Sequence, residues 1–129
     1  MADETFLEKV YSTITKPKLV NLFTYQELYK IELGETITLP NGIVAKKMYE
    51  DDDIQVFTNE IKANVFYNPH CHDCDEDIYV AKGLMMDRLN KSIQKVEGTV
   101  MHLKKGQVHA PHALEDTIIV ITFRNPNLD

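Results

Sequence analysis

From residue 36 onward, short stretches of β-branched and aromatic residues alternate with glycine, asparagine and lysine turns. The turns recur about every 8 to 12 residues, a spacing typical of antiparallel sandwiches and barrels. This pattern predicts an all-β fold, because strands that alternate with helices would need longer, helically periodic connections. The predicted strands are Thr36–Leu39, Ile43–Tyr49, Ile54–Phe57, Ile61–Tyr67, Glu76–Ala81, Leu84–Leu89, Ile93–Val96, Thr99–Leu103 and Thr117–Phe123.

The first 34 residues follow a helical pattern instead. In residues 4–15, apolar side chains recur at spacings of three and four, which predicts a short amphipathic helix. Thr24-Tyr25-Gln26-Glu27 has the form of a capping box and predicts a second short helix that ends near Lys30. We therefore expect a single domain, in which an N-terminal helical segment, residues 1–34, packs on a β-barrel, residues 35–129.

Composition excludes several classes of protein. With 129 residues, 43% of them hydrophobic, the chain can bury one core. A net charge of −6 argues against non-specific binding to nucleic acid or anionic lipid. The longest aliphatic run, Ile118–Ile121, is far shorter than the ~20 residues of a membrane span, and no apolar stretch follows the acidic N-terminus. We therefore expect a cytoplasmic protein without a nucleic-acid or membrane partner.

All five histidines lie between residues 70 and 112. His70 and His72 are two apart, so on a strand they share one face, and Glu76 can return beside them. His109 follows three more predicted strands, and a closed sheet can bring it back to the same place. Three imidazoles and one carboxylate suit a divalent first-row metal. Four such ligands leave a coordination position open, which is typical of catalytic rather than structural metals.

These residues also resemble the first motif of the cupin superfamily. That motif has the form G-x5-H-x-H-x3-E-x6-G. Its positions are taken here by Asn64, His70, His72, Glu76 and Gly83. Asn64 replaces the leading glycine, and every ligand position matches.

The second cupin motif has the form G-x5-P-x-G-x2-H-x3-N. Its positions are taken by Gly98, Lys104, Gly106, His109 and Ala113, so that lysine replaces proline and alanine replaces asparagine. The 14 residues between the two motifs resemble the short connection of a small, single-domain bacterial-type cupin. The departures fall at turn or packing positions, not at a metal ligand.

The resemblance implies a double-stranded β-helix, the RmlC-like jelly-roll barrel, with a metal in its mouth. Carried over by position, the metal ligands are His70, His72, Glu76 and His109. Iron is the first expectation, and the same ligands accept manganese, nickel, cobalt or zinc. The resemblance further implies a homodimer and a small-molecule substrate or ligand.

Two functions from different classes remain open. The first is a metalloenzyme with dioxygenase-like, isomerase or lyase chemistry on a small organic metabolite. The second is a non-catalytic ligand-binding or sensory cupin that holds a divalent metal. The resemblance does not decide between them, because one fold hosts many activities.

A rival arrangement would use the two cysteines. Cys71 and Cys74 form a C-x2-C pair and, with His109 and His112, would make a closed structural zinc site. The His109-x2-His112 spacing is shorter than usual for such sites. The simpler interpretation is a pair of thiols that take no part in metal binding.

Several other residues are candidates to contact the substrate or to support the metal ligands. His102 and His112 are the histidines that the cupin motifs leave unassigned. Tyr67 is out of phase with His70, but a bulge at Pro69 would turn it inward. The alternation from Glu76 predicts that Tyr79 faces outward.

Overall fold

The computed structural model describes residues 28–39 and 41–126, and for residues 90–94 it describes only the backbone. This part of the chain is almost entirely β, as the turn spacing predicts. Residues 28 and 29 are helical, whereas the helix predicted over residues 4–15 and the start of the second one fall outside the described residues. Within the described ranges, no helix is long and apolar enough to span a membrane.

The described residues form nine strands. Their bounds are β1 (Thr36–Thr38), β2 (Val44–Glu50), β3 (Ile54–Ile61), β4 (Asp75–Lys82), β5 (Leu84–Asp87), β6 (Asn90–Val96), β7 (Val100–Leu103), β8 (Pro111–Ala113) and β9 (Thr117–Arg124). A six-stranded antiparallel sheet has the order β1-β2-β3-β9-β4-β7, and a three-stranded one has the order β6-β5-β8. The crossovers between neighbours such as β3 and β9 are those of a jelly roll rather than a simple meander.

The prediction of separate strands at residues 54–57 and 61–67 is wrong. The chain continues as β3 through residues 58–60, because Thr58 and Glu60 face outward while Asn59 is accommodated inside. A turn follows at residues 63 and 64, where Asn64 has a φ of 67°. Asparagine tolerates this left-handed conformation better than most residues, which explains how it replaces the glycine of the cupin motif.

The core lies against the inner face of the larger sheet. Phe57, Ile121 and Ile78 stand side by side on β3, β9 and β4, and all three are buried. Along β4, Glu76, Ile78 and Val80 are buried and Tyr79 is exposed, as the alternation predicts. The strand period therefore turns the Glu76 carboxylate into the interior.

Candidate metal centre

A backbone bridge brings the two histidine segments together. The N–H of His70 donates to the carbonyl of His109 over 2.9 Å, and the N–H of His109 donates back over 2.8 Å. Directly opposed residues of an antiparallel pair have their side chains on the same face. The ring centroids of His70 and His109 accordingly lie 4.4 Å apart.

His72 completes a cluster of three imidazoles. Its ring centroid lies 5.0 Å from that of His70 and 5.7 Å from that of His109. One ligand nitrogen from each histidine lies within 4.8 Å of the other two, and all three side chains are buried. Neutral imidazole nitrogens are common metal ligands, so this cluster can hold a metal ion.

Glu76 directs its carboxylate into the cluster. Its Oε1 lies 3.5 Å from Nε2 of His72 and 3.3 Å from Nε2 of His109. Burial alone raises the pKa of this carboxyl, but the two adjacent imidazoles more than offset burial and hold the pKa below its ordinary value. Within the described residues, neither Glu76 Oε1 nor His109 Nε2 makes a well-aligned hydrogen bond. Buried nitrogens facing a buried carboxylate oxygen are a donor set that fits a divalent first-row metal.

Local contacts hold the imidazoles in the form that binds metal. Nδ1 of His70 lies 2.6 Å from the carbonyl oxygen of Asn68. A carbonyl only accepts, so Nδ1 carries the proton and Nε2 carries the lone pair. For His72, burial lowers the pKa to about 4, so its ring is neutral at pH 7.

The cluster lies in a small cavity. Its volume is about 10 Å³, roughly the space of one water molecule. Apart from the four metal-ligand candidates, most of the described lining is apolar, and buried charges act strongly in such surroundings. These other lining residues are Leu28, Asn59, Tyr67, Ile78, Pro111, Ile119, Ile121 and Phe123.

The structure places His102 and His112 away from this cavity. The His102 side chain is 76% exposed and bonds to Asp77, whose other carboxylate oxygen accepts from Arg124. His112 packs edge-on against Phe66, with their ring centroids 5.9 Å apart. Neither histidine is among the lining residues, although His112 is only three positions from His109.

The histidine cluster of the described chain includes neither cysteine. Sγ of Cys74 lies 3.6 Å from the hydroxyl oxygen of Tyr29, and burial raises the pKa of this thiol to about 11. Cys71 is half-buried and is a free thiol. His109, which the closed zinc arrangement also requires, is instead paired with His70.

Two polar residues that line the cavity form a hydrogen-bonded pair, of which the sequence pattern indicated only Tyr67. Nδ2 of Asn59 donates to the hydroxyl of Tyr67 over 2.5 Å, and both residues are buried. Asn59 lay inside a predicted turn, although it shares the strand parity of the buried Phe57. Tyr67 and His70 are both buried, and the chain bends between them at Pro69, where a bulge was expected.

Solved structures share this architecture. The sequence matches no family model, and no curated protein matches it. An RmlC-like cupin from Shewanella frigidimarina superposes with a TM-score of 0.66 at 13% identity, covering 73% of this chain and 86% of the other. KdgF from a Halomonas species gives 0.64 at 20% identity, covering 72% and 87%. An acetylacetone dioxygenase from Acinetobacter johnsonii gives 0.61 at 15% identity, covering 74% and 71%. The fold implied by the two sequence motifs is therefore confirmed, and this chain has the cupin fold.

Proposed function

We propose that this cupin is a metal-dependent enzyme acting on a small organic metabolite. His70, His72, His109 and Glu76 would hold one divalent transition metal, with iron the first expectation. The observation that carries the proposal is the buried cluster of three ligand nitrogens within 4.8 Å of one another. When bound, such a metal supplies a Lewis acid with open positions for substrate or dioxygen.

The residues of the chain have separate tasks in this proposal. The Asn68 carbonyl fixes the tautomer of His70, and the His70–His109 bridge sets the spacing of two ligands. Phe123, whose ring centroid lies 5.0 Å from that of His72, keeps water away from one side of the site. Glu76 contributes a negative charge that lowers the net charge of a divalent site to one.

Metal analysis of the purified, untagged protein tests the metal-binding part of the proposal. We expect about one iron per chain in the wild type and a loss of most of it in Glu76→Ala and in His109→Ala. His102→Ala is the matched control, because His102 is exposed and outside the cluster. Metal that survives both cluster substitutions, or that falls equally in the control, would contradict this site.

Oxygen uptake tests the enzyme part. The neighbour from Acinetobacter johnsonii is described as an acetylacetone dioxygenase, so the panel would contain acetylacetone together with small hydroxy acids. We expect substrate-dependent oxygen consumption by the iron-loaded wild type and none by His109→Ala. Product formation without oxygen uptake would favour isomerase or lyase chemistry.

The small cavity favours one second candidate, a non-catalytic ligand-binding or sensory cupin. A space of about 10 Å³ beside the metal ligands leaves little room for a substrate to react, and a ligand would bind only after the cavity widens. This candidate predicts stoichiometric metal and saturable ligand binding, with no product from any member of the panel. Turnover of a panel compound at a rate that falls with metal removal would exclude it.

A further inference from the structure

We propose that Asn59 and Tyr67 determine which ligand this site accepts, and that they select a compact monoanion carrying a hydroxyl group. The inference rests on the proposed metal site and names the class of ligand that would bind beside it. It follows from the hydrogen-bonding capacity of this pair and from the charge of the cavity.

The pair offers one donor and one acceptor to a ligand. Because Asn59 Nδ2 donates to it, the Tyr67 hydroxyl keeps its own hydrogen for a second bond. Oδ1 of Asn59 is buried and has no hydrogen-bond partner among the described residues. A buried acceptor left in this state is unfavourable, and a hydrogen bond from a ligand can recover that cost. A single hydroxyl group, which both accepts and donates, satisfies both residues at once.

The pair lies in the same cavity as the metal ligands. Asn59, Tyr67, His70 and Glu76 all line it, and the Tyr67 ring centroid lies 5.8 Å from that of His70. A ligand bound through its anionic group at the histidine cluster would therefore present a neighbouring hydroxyl toward Tyr67. We assign these two residues to ligand positioning rather than to metal binding.

Charge limits the ligand to one negative group. A divalent ion beside the Glu76 carboxylate retains one net positive charge, which one anionic group neutralises. Among the described lining residues there is no lysine or arginine that could balance a second. A phosphorylated or dicarboxylic ligand would bury an unpaired charge, which is strongly unfavourable.

Size favours a compact ligand. The cavity of about 10 Å³ has to widen even for a two-carbon hydroxy acid. Leu28 is the lining residue that precedes β1, outside both sheets, so it can move without breaking a strand pairing. Longer ligands would require displacement of the sheet residues as well.

Paired ligands test the inference in cobalt-loaded protein, where visible absorption reports occupancy of the metal site. Glycolate carries the hydroxyl, acetate lacks it, and phosphoglycolate adds a second anionic group. We expect the wild type to bind glycolate about tenfold more tightly than acetate, and phosphoglycolate much more weakly than glycolate. Tyr67→Phe should abolish the preference for glycolate while leaving acetate affinity and cobalt content unchanged.

Asn59→Ala should give the same result as Tyr67→Phe. Tyr79→Phe is the matched control, because Tyr79 is 43% exposed on the outer face of β4. A preference for glycolate that survives Tyr67→Phe, or its absence in the wild type, overturns the inference while the metal site stands. A wild type that takes up no cobalt overturns the proposed function, and the inference with it.

Discussion

Gly83 and Gly98 both have a positive φ, but among the described residues only Gly83 is enclosed by other atoms. A Cβ on Gly83 would meet Oγ1 of Thr117 and would lie 2.5 Å from the carbonyl oxygen of Asp116, whereas a Cβ on Gly98 would have no atom of the described chain within 4 Å. Both are glycine positions of the cupin motifs. The turn at Gly98 therefore needs glycine for its backbone alone, and the turn at Gly83 also needs it for space.

This contrast predicts unequal stability losses. Gly98→Ala should lower the free energy of unfolding by about 1 kcal/mol, the usual cost of a positive φ in alanine. Gly83→Ala should lower it by about 3 kcal/mol or more, because Thr117 and Asp116 have to shift as well. Urea denaturation measures both values, and equal losses in the two variants would contradict the crowding at Gly83.

At the level of elements, a buried lysine joins β2 to the helical residues 28 and 29. Nζ of Lys47 donates to the carbonyl oxygen of Tyr29 over 2.7 Å and lies 3.2 Å from the Glu50 carboxylate. Nε2 of Gln55, on β3, lies 3.0 Å from the same carbonyl and 2.8 Å from the same carboxylate. A positive charge beside a carbonyl at a helix end is favourable. These contacts hold the backbone carbonyl of Tyr29 against the sheet.

Replacing this lysine should loosen the attachment. Lys47→Met keeps much of the side-chain volume but leaves the Tyr29 carbonyl and Glu50 with Gln55 alone, so we expect a loss of about 2 kcal/mol. Lys46→Met is the matched control, since Lys46 is exposed on the same strand and should change stability by less than about 0.5 kcal/mol. Thermal unfolding of the two variants measures both losses of stability. A Lys47→Met variant as stable as the wild type would contradict the role assigned to Lys47.

The strand elements also show where sequence patterns succeed. Alternation along β4 predicted that Glu76, Ile78 and Val80 face inward, because a half-buried strand has a period of two. It did not predict the length of β3. The polar residues 58–60 resemble a turn in the sequence, and only the structure shows that the cavity accepts the Asn59 side chain. β8 was not predicted either, because it is three residues long and begins with proline.

At the scale of the molecule, the two cupin motifs were sufficient to predict the fold and the meeting of three histidines. They predict both through the resemblance to cupins, which implies a barrel that brings the motif positions together. The rest of the cavity wall depends on chain paths that no local pattern encodes. Tyr67 enters through a non-strand segment, and Leu28 precedes the barrel altogether.

At this scale, the Leu28 side chain should limit access of solvent and chelators to the cavity that contains the histidine cluster. Leu28→Ala removes a 1% exposed side chain from the cavity wall and should cost about 3 kcal/mol of stability. The same change should accelerate removal of cobalt by a chelator several-fold. Leu33→Ala, at a 63% exposed position, is the control for both measurements. Identical rates of cobalt release in the two variants would show that access runs elsewhere.

The His70–His109 bridge has a consequence for how the barrel opens. A metal bound to both side chains would act as a cross-link that closes the chain segment containing β4 to β7. Closing a loop of this length costs conformational entropy. A metal that binds only the folded state offsets this cost and stabilises the bridge. Amide hydrogens at residues 70 and 109 should therefore exchange with deuterium much more slowly in metal-loaded than in metal-free protein. Those in the middle of β3 and β9 should respond far less, so the metal would set the order in which the barrel unfolds.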